Sequence, residues 1–181
     1  MDDPSLEQLA DDIQQNRDTI AVPQELVEEL PPEKKVSRNL AAEIQGMAVG
    51  ARLKLALKGN RDARQILIRD ASRIVQRFVL LNPRISEEEV VALCKNRSIE
   101  RELLDQICRR KEWLANYQVK LALATNPKTP LPLAMRLVPT LMPRDLRTLA
   151  KSKNVPQGVN SMAKRIILQR SQGSGPLGGG H

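Results

Sequence analysis

LALATNPKTPLPLAMRL, Leu121 to Leu137, holds an Asn-Pro step after a small apolar helix face, then Thr-Pro, then a second apolar face. FVLLNPRISEEEVVAL, Phe78 to Leu93, has the same shape. Aligning on asparagine extends the likeness to a third stretch. Seven, four and three residues ahead of Asn60, Asn82 and Asn126 stand Leu53/Ala56/Leu57, Val75/Phe78/Val79 and Val119/Ala122/Leu123. Each triplet falls on one face of one helix. Asn60 and Asn82 are 22 residues apart and Asn82 and Asn126 are 44 apart, so the chain carries an internal repeat with a period near 22.

The residue types fit a unit that stops one helix, turns tightly and starts another. Asparagine tolerates the left-handed conformation just past a helix C-terminus, which is the expected role of Asn60, Asn82 and Asn126. Pro83 and Pro127 forbid continuation and push the preceding residue out of the right-handed helical region. Ser86 with Glu89 has capping-box spacing, and Thr129 before Pro130 reads as a cap followed by a first-turn proline. The next helix shows Val90, Leu93 and Cys94 in one copy, and Ala134 and Leu137 in the other.

This pattern resembles the leucine-rich-repeat-variant and HEAT-like α-solenoid repeats of bacteria. VLLNPRISEEEVVAL and LALATNPKTPLPLAMRL carry the resemblance best. KGNRDARQILIRD is a third copy with Gly59-Asn60 in place of Asn-Pro. DLRTLAKSKNVPQGVNSMAKRIIL is similar to a closing repeat broken at Asn154-Val155-Pro156. KEWLANYQVKLALATNPKTP also looks similar to bacterial proteins of this repeat type. The likeness covers roughly residues 49–170. Residues 94–112 depart from it, with Leu104 where the register expects an asparagine. The resemblance implies an all-α fold, a right-handed α-solenoid of short helix pairs. It implies roughly seven to nine helices. Such proteins are scaffolds or binding surfaces, and some HEAT-like relatives, DNA-repair glycosylases among them, bind DNA.

Three parts are expected. Residues 1–33 form an acidic leader with one or two short helices, partly flexible. Residues 34–170 form the helical repeat domain. Residues 171–181 form a disordered, Gly-rich tail of the kind an expression tag leaves. Within the leader, Leu6, Leu9, Ala10 and Ile13 have helical spacing with Ser5 as cap. PQELVEEL reads as a second short helix with Pro23 in its first turn, and Pro31-Pro32 ends it. Whether the leader docks on the body is left open by the pattern.

The core is built from Leu, Ile, Val and Ala, because the 181 residues include one Phe, one Trp and one Tyr. That composition suits packed helices better than a β-sandwich. The net charge of +8 is unevenly spread. Residues 1–33 hold ten carboxylates and Arg17 alone, a net of −9, against +17 for the rest. The opening MDDPS has no apolar stretch of a secretory signal, and no run reaches the roughly 18 apolar residues of a membrane span. Cys94 and Cys108 sit in apolar helical patterns as buried, reduced thiols, so a cytoplasmic location is expected.

No catalytic constellation is legible. The single histidine is His181, in the tail, which removes Ser-His-Asp and Cys-His sites from the body. Two separate cysteines without histidine have no zinc spacing, and neither phosphate-binding glycine motif occurs. Glu87, Glu88 and Glu89 suit the first turn of a helix, and Asp62 and Asp70 suit caps. Gly50 and Gly59 read as helix ends or close contacts. No enzyme activity, cofactor, metal or small-molecule substrate is inferred.

Two clusters are candidates for partner or nucleic-acid contact. Trp113, Tyr117 and Lys120 fall at i, i+4 and i+7, one stripe of one helix, preceded by Arg109, Arg110 and Lys111. Such a cluster grips phosphate while a ring stacks on a base, or anchors a protein partner. The alternative is that Trp113 buries itself and the cations face solvent. Arg69, Arg73 and Arg77 recur every four residues on one helical face. The favoured function is a non-enzymatic protein–protein interaction scaffold or adaptor. The alternative is a nucleic-acid binder that uses a basic groove and the phosphate backbone, with the acidic leader as competitor.

Overall fold

The computed structural model describes residues 4–29 and 38–172. Among them the chain is all-helical, with twelve α-helices, two short 3₁₀ turns and no strand. It divides into two compact units, Met1–Ile85 and Ser86–His181, so the division falls inside the stretch expected to form one repeat domain.

The first unit holds α1 (Pro4–Gln14), α2 (Arg38–Gly46), α3 (Val49–Lys58), α4 (Arg61–Leu67) and α5 (Arg73–Leu80). The second holds α6 (Glu87–Lys95), α7 (Arg101–Arg109), α8 (Lys111–Ala115), α9 (Tyr117–Thr125), α10 (Leu131–Leu137), α11 (Pro143–Lys151) and α12 (Gln157–Gln172). The count exceeds the expected seven to nine, and two of the additional helices arise because the stretch from Arg101 to Thr125 is cut twice. Arg110 and Asn116 both take extended backbone there, with ψ of 110° and 122°. Most of these helices are too short to persist alone, so their stability comes from the faces they bury.

Those faces are the ones the repeat predicts. All nine residues of the three triplets are buried. In the first unit α3 packs on α5 and α4, and α1 packs on α3. Ala10 and Ile13 of α1, and Leu26 of a 3₁₀ turn at Gln24–Leu26, belong to the same core as Leu53, Leu57, Val75 and Phe78. The described part of residues 1–33 is thus packed into the core of the first unit with α3 and α5. In the second unit α6 packs on α9, α9 on α10, and α11 on α12.

The asparagines end helices by a different device from the one expected. Asn60 has φ −69° and ψ 178°, and Asn126 has φ −80° and ψ 121°. Among the described residues only Asn16, after α1, is a non-glycine with positive φ. A following proline favours extended backbone, which rules out the left-handed route at Asn82 and Asn126. The side chains act instead, from burial of 2–4% residual exposure. Nδ2 of Asn126 donates to the carbonyls of Cys94 (2.7 Å) and Asn96 (3.0 Å), at the C-terminus of α6, while Oδ1 accepts from Lys128 N–H (2.9 Å). Asn82 donates to Ala56 (3.0 Å) and Gly59 (3.2 Å) at the end of α3 and accepts from Arg84 N–H. Asn60 donates to Glu25 (2.9 Å) and Glu28 (3.0 Å) and accepts from Ala63 N–H. The last carbonyls of a helix have no partner within it, so each asparagine supplies the missing donors for an earlier element.

The device does not extend to the break in register: Leu104 is fully buried inside α7, and Asn96, eight residues earlier at the C-terminus of α6, is half-buried and accepts from Ser98 N–H at 2.9 Å. At the closing repeat the donor is Asn160 of α12, bonded to Leu149, Ala150 and Ser152 at the end of α11, not Asn154.

Several local expectations are corrected. Ser86 and Glu89 do form the capping box. Thr129 caps nothing: Pro130 occupies the N-cap of α10, and Thr129 Oγ1 is buried without a hydrogen-bond partner. Ser5 lies within α1, and the segment after Pro23 makes one 3₁₀ turn, not a helix. Asp70 is a buried ion-pair partner more than a cap. Both its oxygens take Arg52 Nη1 (2.7 and 2.6 Å), and Oδ1 also accepts from Ser72 N–H. Gly59 is a close contact. A Cβ there would stand 2.2 Å from Leu55 O and 2.8 Å from Ala63 Cβ. α12 runs to Gln172, into the first residues of the expected tail. Pro31-Pro32 and residues 173–181 lie outside the described residues.

Candidate ligand-binding surface

The six residues from Arg109 to Lys120 do not share one helix. Arg109 ends α7, Arg110 and Lys111 open α8, Trp113 belongs to α8, and Tyr117 and Lys120 belong to α9. Asn116 breaks the stripe because it caps α9, accepting from Gln118 N–H at 2.8 Å. Trp113 is buried, with the Arg110 guanidinium 4.4 Å from its ring centroid. That stacking covers an edge of the core and adds a cation–π attraction of about 1 kcal/mol. Arg109 is exposed and pairs with Asp105 one turn back at 2.8 Å, an arrangement that contributes little to stability.

Tyr117 is tied down as well. Its hydroxyl donates to Asp145 Oδ2 and accepts from Met142 N–H at 3.0 Å, which links the starts of α9 and α11. Burial and the hydrogen bond to Asp145 raise the phenol above its ordinary range. Phe78, the third aromatic, is in the core of the first unit. No aromatic side chain is exposed among the described residues.

The second cluster is also divided. Arg69 lies in the turn after α4, and only Arg73 and Arg77 share α5, where Arg73 is exposed and Arg77 half-buried.

Charge, summed by unit, gives a clearer picture. The first unit holds 13 Lys and Arg against 13 Asp and Glu, a net of zero. The second holds 16 against 8, and so carries the whole net charge of +8. In the first unit two carboxylates ahead of residue 33 meet cations of α3 and α4. Asp18 accepts from Lys54 at 2.8 Å and Glu29 from Arg64 at 2.7 Å. The Lys54 hydrogen bond holds Asp18 below the usual carboxylate range. Burial opposes the charge on Glu29, but Arg64 and the Arg61 N–H outweigh it and lower that group too. Arg84 reaches the carbonyls of Val27 and Lys58.

In the second unit seven of the eight carboxylates precede residue 113. Residues 113–172 contain ten Lys and Arg and a single carboxylate, Asp145, which Tyr117 engages. Arg144, Arg147 and Lys151 are exposed on α11, and Lys164 and Arg165 on α12. Sequence reasoning missed this concentration because it divided the charge at residue 33. A running count of carboxylates would have found it.

Family models, curated proteins and solved structures were compared with the chain, and none matches. Among the described residues no group of three His, Cys, Asp or Glu side chains is placed to hold a metal ion, and no helix is long and apolar enough to cross a membrane. Cys94 and Cys108 are both buried, and burial pushes their thiols up to about 12 and about 11.

Proposed function

We propose that this chain is a non-enzymatic, cytoplasmic binding module of the HEAT-like or leucine-rich-repeat-variant α-solenoid type, and that its second unit binds a polyanion, nucleic acid, through the phosphate backbone. The repeat reading is supported by the recurrence of one device. A buried asparagine amide closes an earlier element at Asn60, Asn82 and Asn126. The ligand reading rests on one observation: ten cations against one carboxylate over residues 113–172. An excess of cations on packed helices gives a positive field that attracts phosphates and releases their counterions.

A protein partner is the second reading. Leu131, Met142 and Leu168 are 41%, 46% and 58% exposed on the same unit, and exposed large apolar groups serve protein interfaces. This reading keeps the adaptor function with an acidic partner.

Fluorescence anisotropy of labelled random-sequence oligonucleotides, titrated with the full chain across a salt series, decides between them. The polyanion reading expects near-micromolar binding at physiological salt and a steep fall of affinity with salt. Absence of binding at low salt would remove it and leave the protein partner.

A further inference from the structure

The polyanion reading names a unit, not a face. Resting on that reading, we propose that the outward face of α11 is the docking element, and that it takes the backbone of duplex nucleic acid in preference to a single strand.

Arg144, Arg147 and Lys151 stand at i, i+3 and i+7 and share one face with Thr148. All four are exposed, while Leu146 and Leu149 on the opposite face are 0% and 1% exposed. Packing of the leucines therefore fixes the direction of the cations. Both ends of α11 are held as well. Tyr117 accepts from Met142 N–H and bonds Asp145 at the start, and Asn160 donates to the carbonyls of Leu149, Ala150 and Ser152 at the end. The helix is rigid before a ligand arrives, which lowers the ordering cost of binding. Lys153 continues the charge into the following turn.

The dimensions suit a phosphate backbone. Seven residues of helix span about 10 Å. One strand of a duplex presents a phosphate about every 3.4 Å of helix axis, so about three phosphates face the three cations. The face contains no apolar residue, whereas the centre of a protein interface is depleted of charge and enriched in aromatic and apolar groups. Single-strand binders add aromatic stacking platforms to their cationic grooves. Here Phe78 and Trp113 are buried and Tyr117 is half-buried with its hydroxyl tied to Asp145 and Met142, so no exposed ring is offered for stacking. A cationic face without a platform favours the ligand with the denser array of phosphates, the duplex.

The test uses the full chain and two matched triple variants, R144A/R147A/K151A on α11 and K95A/R97A/R101A at the end of α6, the following turn and the start of α7. Both remove three exposed cations and change net charge equally. Each is titrated into labelled random-sequence duplex and single strand between about 50 and 200 mM salt, the range in which the electrostatic slope is readily measured. Folding is checked by Trp113 fluorescence, and Arg147→Ala alone serves if the triple variant is unstable. The α11 triple variant is expected to reduce the slope of log affinity against log salt by about 2.7, and Arg147→Ala by about 0.9, with the control near the parent value. The parent is expected to bind duplex more tightly than single strand. Equal losses for the two triple variants, or none, would overturn the assignment to α11 while leaving the polyanion reading intact. Single strand bound as tightly as duplex, or poly-glutamate competing as well as duplex, would overturn the ligand class. No binding to either oligonucleotide at low salt would remove the parent reading together with this one.

Discussion

Replacing Asn126 tests the device on which the repeat is built. Its side chain makes three hydrogen bonds at 4% exposure: two donated to Cys94 and Asn96, one accepted from Lys128 N–H. Asn126→Ala removes all three: the buried Cys94 carbonyl and the Lys128 N–H lose this partner, and the half-buried Asn96 carbonyl keeps only the Ile99 N–H at 3.4 Å. At about 1 kcal/mol net for each bond, the expected loss is about 3 kcal/mol. Asn126→Asp is the sharper variant, because it keeps shape and the acceptor but turns the donor into a charge facing two carbonyls at the negative end of a helix. It is expected to destabilise more than alanine at neutral pH. Burial and those carbonyls raise the folded-state pKa of an aspartate at 126 above its unfolded value near 3.9. Stability of the variant is then greatest below the unfolded pKa and is lost as pH rises through the folded value. Urea titrations followed by Trp113 fluorescence report this directly, since the single tryptophan is buried in the same unit. A loss below about 1 kcal/mol for alanine, or an aspartate variant as stable as the parent at pH 7, would refute the capping account.

Other features give further tests. Gly59→Ala is expected to destabilise by about 2 kcal/mol or more, as overpacking does, because the added Cβ would meet Leu55 O at 2.2 Å; thermal unfolding by circular dichroism reads it. Arg52→Ala leaves the Asp70 carboxylate, whose side chain is 1% exposed, without its cation and is expected to cost about 3 kcal/mol. The double variant Arg52→Ala/Asp70→Ala should lose less than the two single losses added. Lys54 lowers the Asp18 pKa, so the pair contributes stability above the unfolded value that is lost as pH falls through the lowered one. Asp18→Asn should therefore flatten the acid limb of the stability profile. Cys94 and Cys108, raised to about 12 and about 11, should resist an aromatic disulfide reagent at pH 8 until the protein unfolds. Prompt labelling of the native chain would contradict their burial.

Helix faces were legible because burial repeats with the period of the helix. Leu53, Ala56 and Leu57, and their counterparts at Val75 and Val119, needed only the 3.6-residue spacing to be placed in a core. Asparagine positions were legible too, but not their chemistry. A helix stop reads the same whether the residue turns left-handed or donates its amide to another helix, and only the partner's location separates the two. Asn160 was missed for this reason: it lies inside a helical pattern with no proline beside it, and its acceptors lie in the preceding helix. Thr129 shows the converse. Thr-Pro has cap chemistry, yet Pro130 itself takes the N-cap position, which leaves the hydroxyl facing nothing. Trp113 and Tyr117 were put on one stripe because i, i+4 spacing assumes an unbroken helix, and Asn116 breaks it.

The charge asymmetry shows why a binding surface is harder to read than a core. Leader and body, at −9 and +17, look like two fields in competition along the chain. In space the described leader belongs to the first unit, where Asp18 and Glu29 meet Lys54 and Arg64, and that unit sums to zero. An acid already paired at close range, as Asp18 and Glu29 are, competes poorly for further cations. The leader's influence on a ligand of the second unit should then be weak. The residue that bears on that ligand is Asp145, the one carboxylate between residues 113 and 172, and Tyr117 holds it at the start of α11. Tyr117→Phe releases that carboxylate beside Arg144, whose Nε is already 3.6 Å away. Closer pairing of Asp145 with Arg144 withdraws one cation from the α11 face. The salt slope of duplex binding should fall by about 0.9, as it would on removing one phosphate contact. An unchanged slope would mean that Arg144 does not meet the backbone.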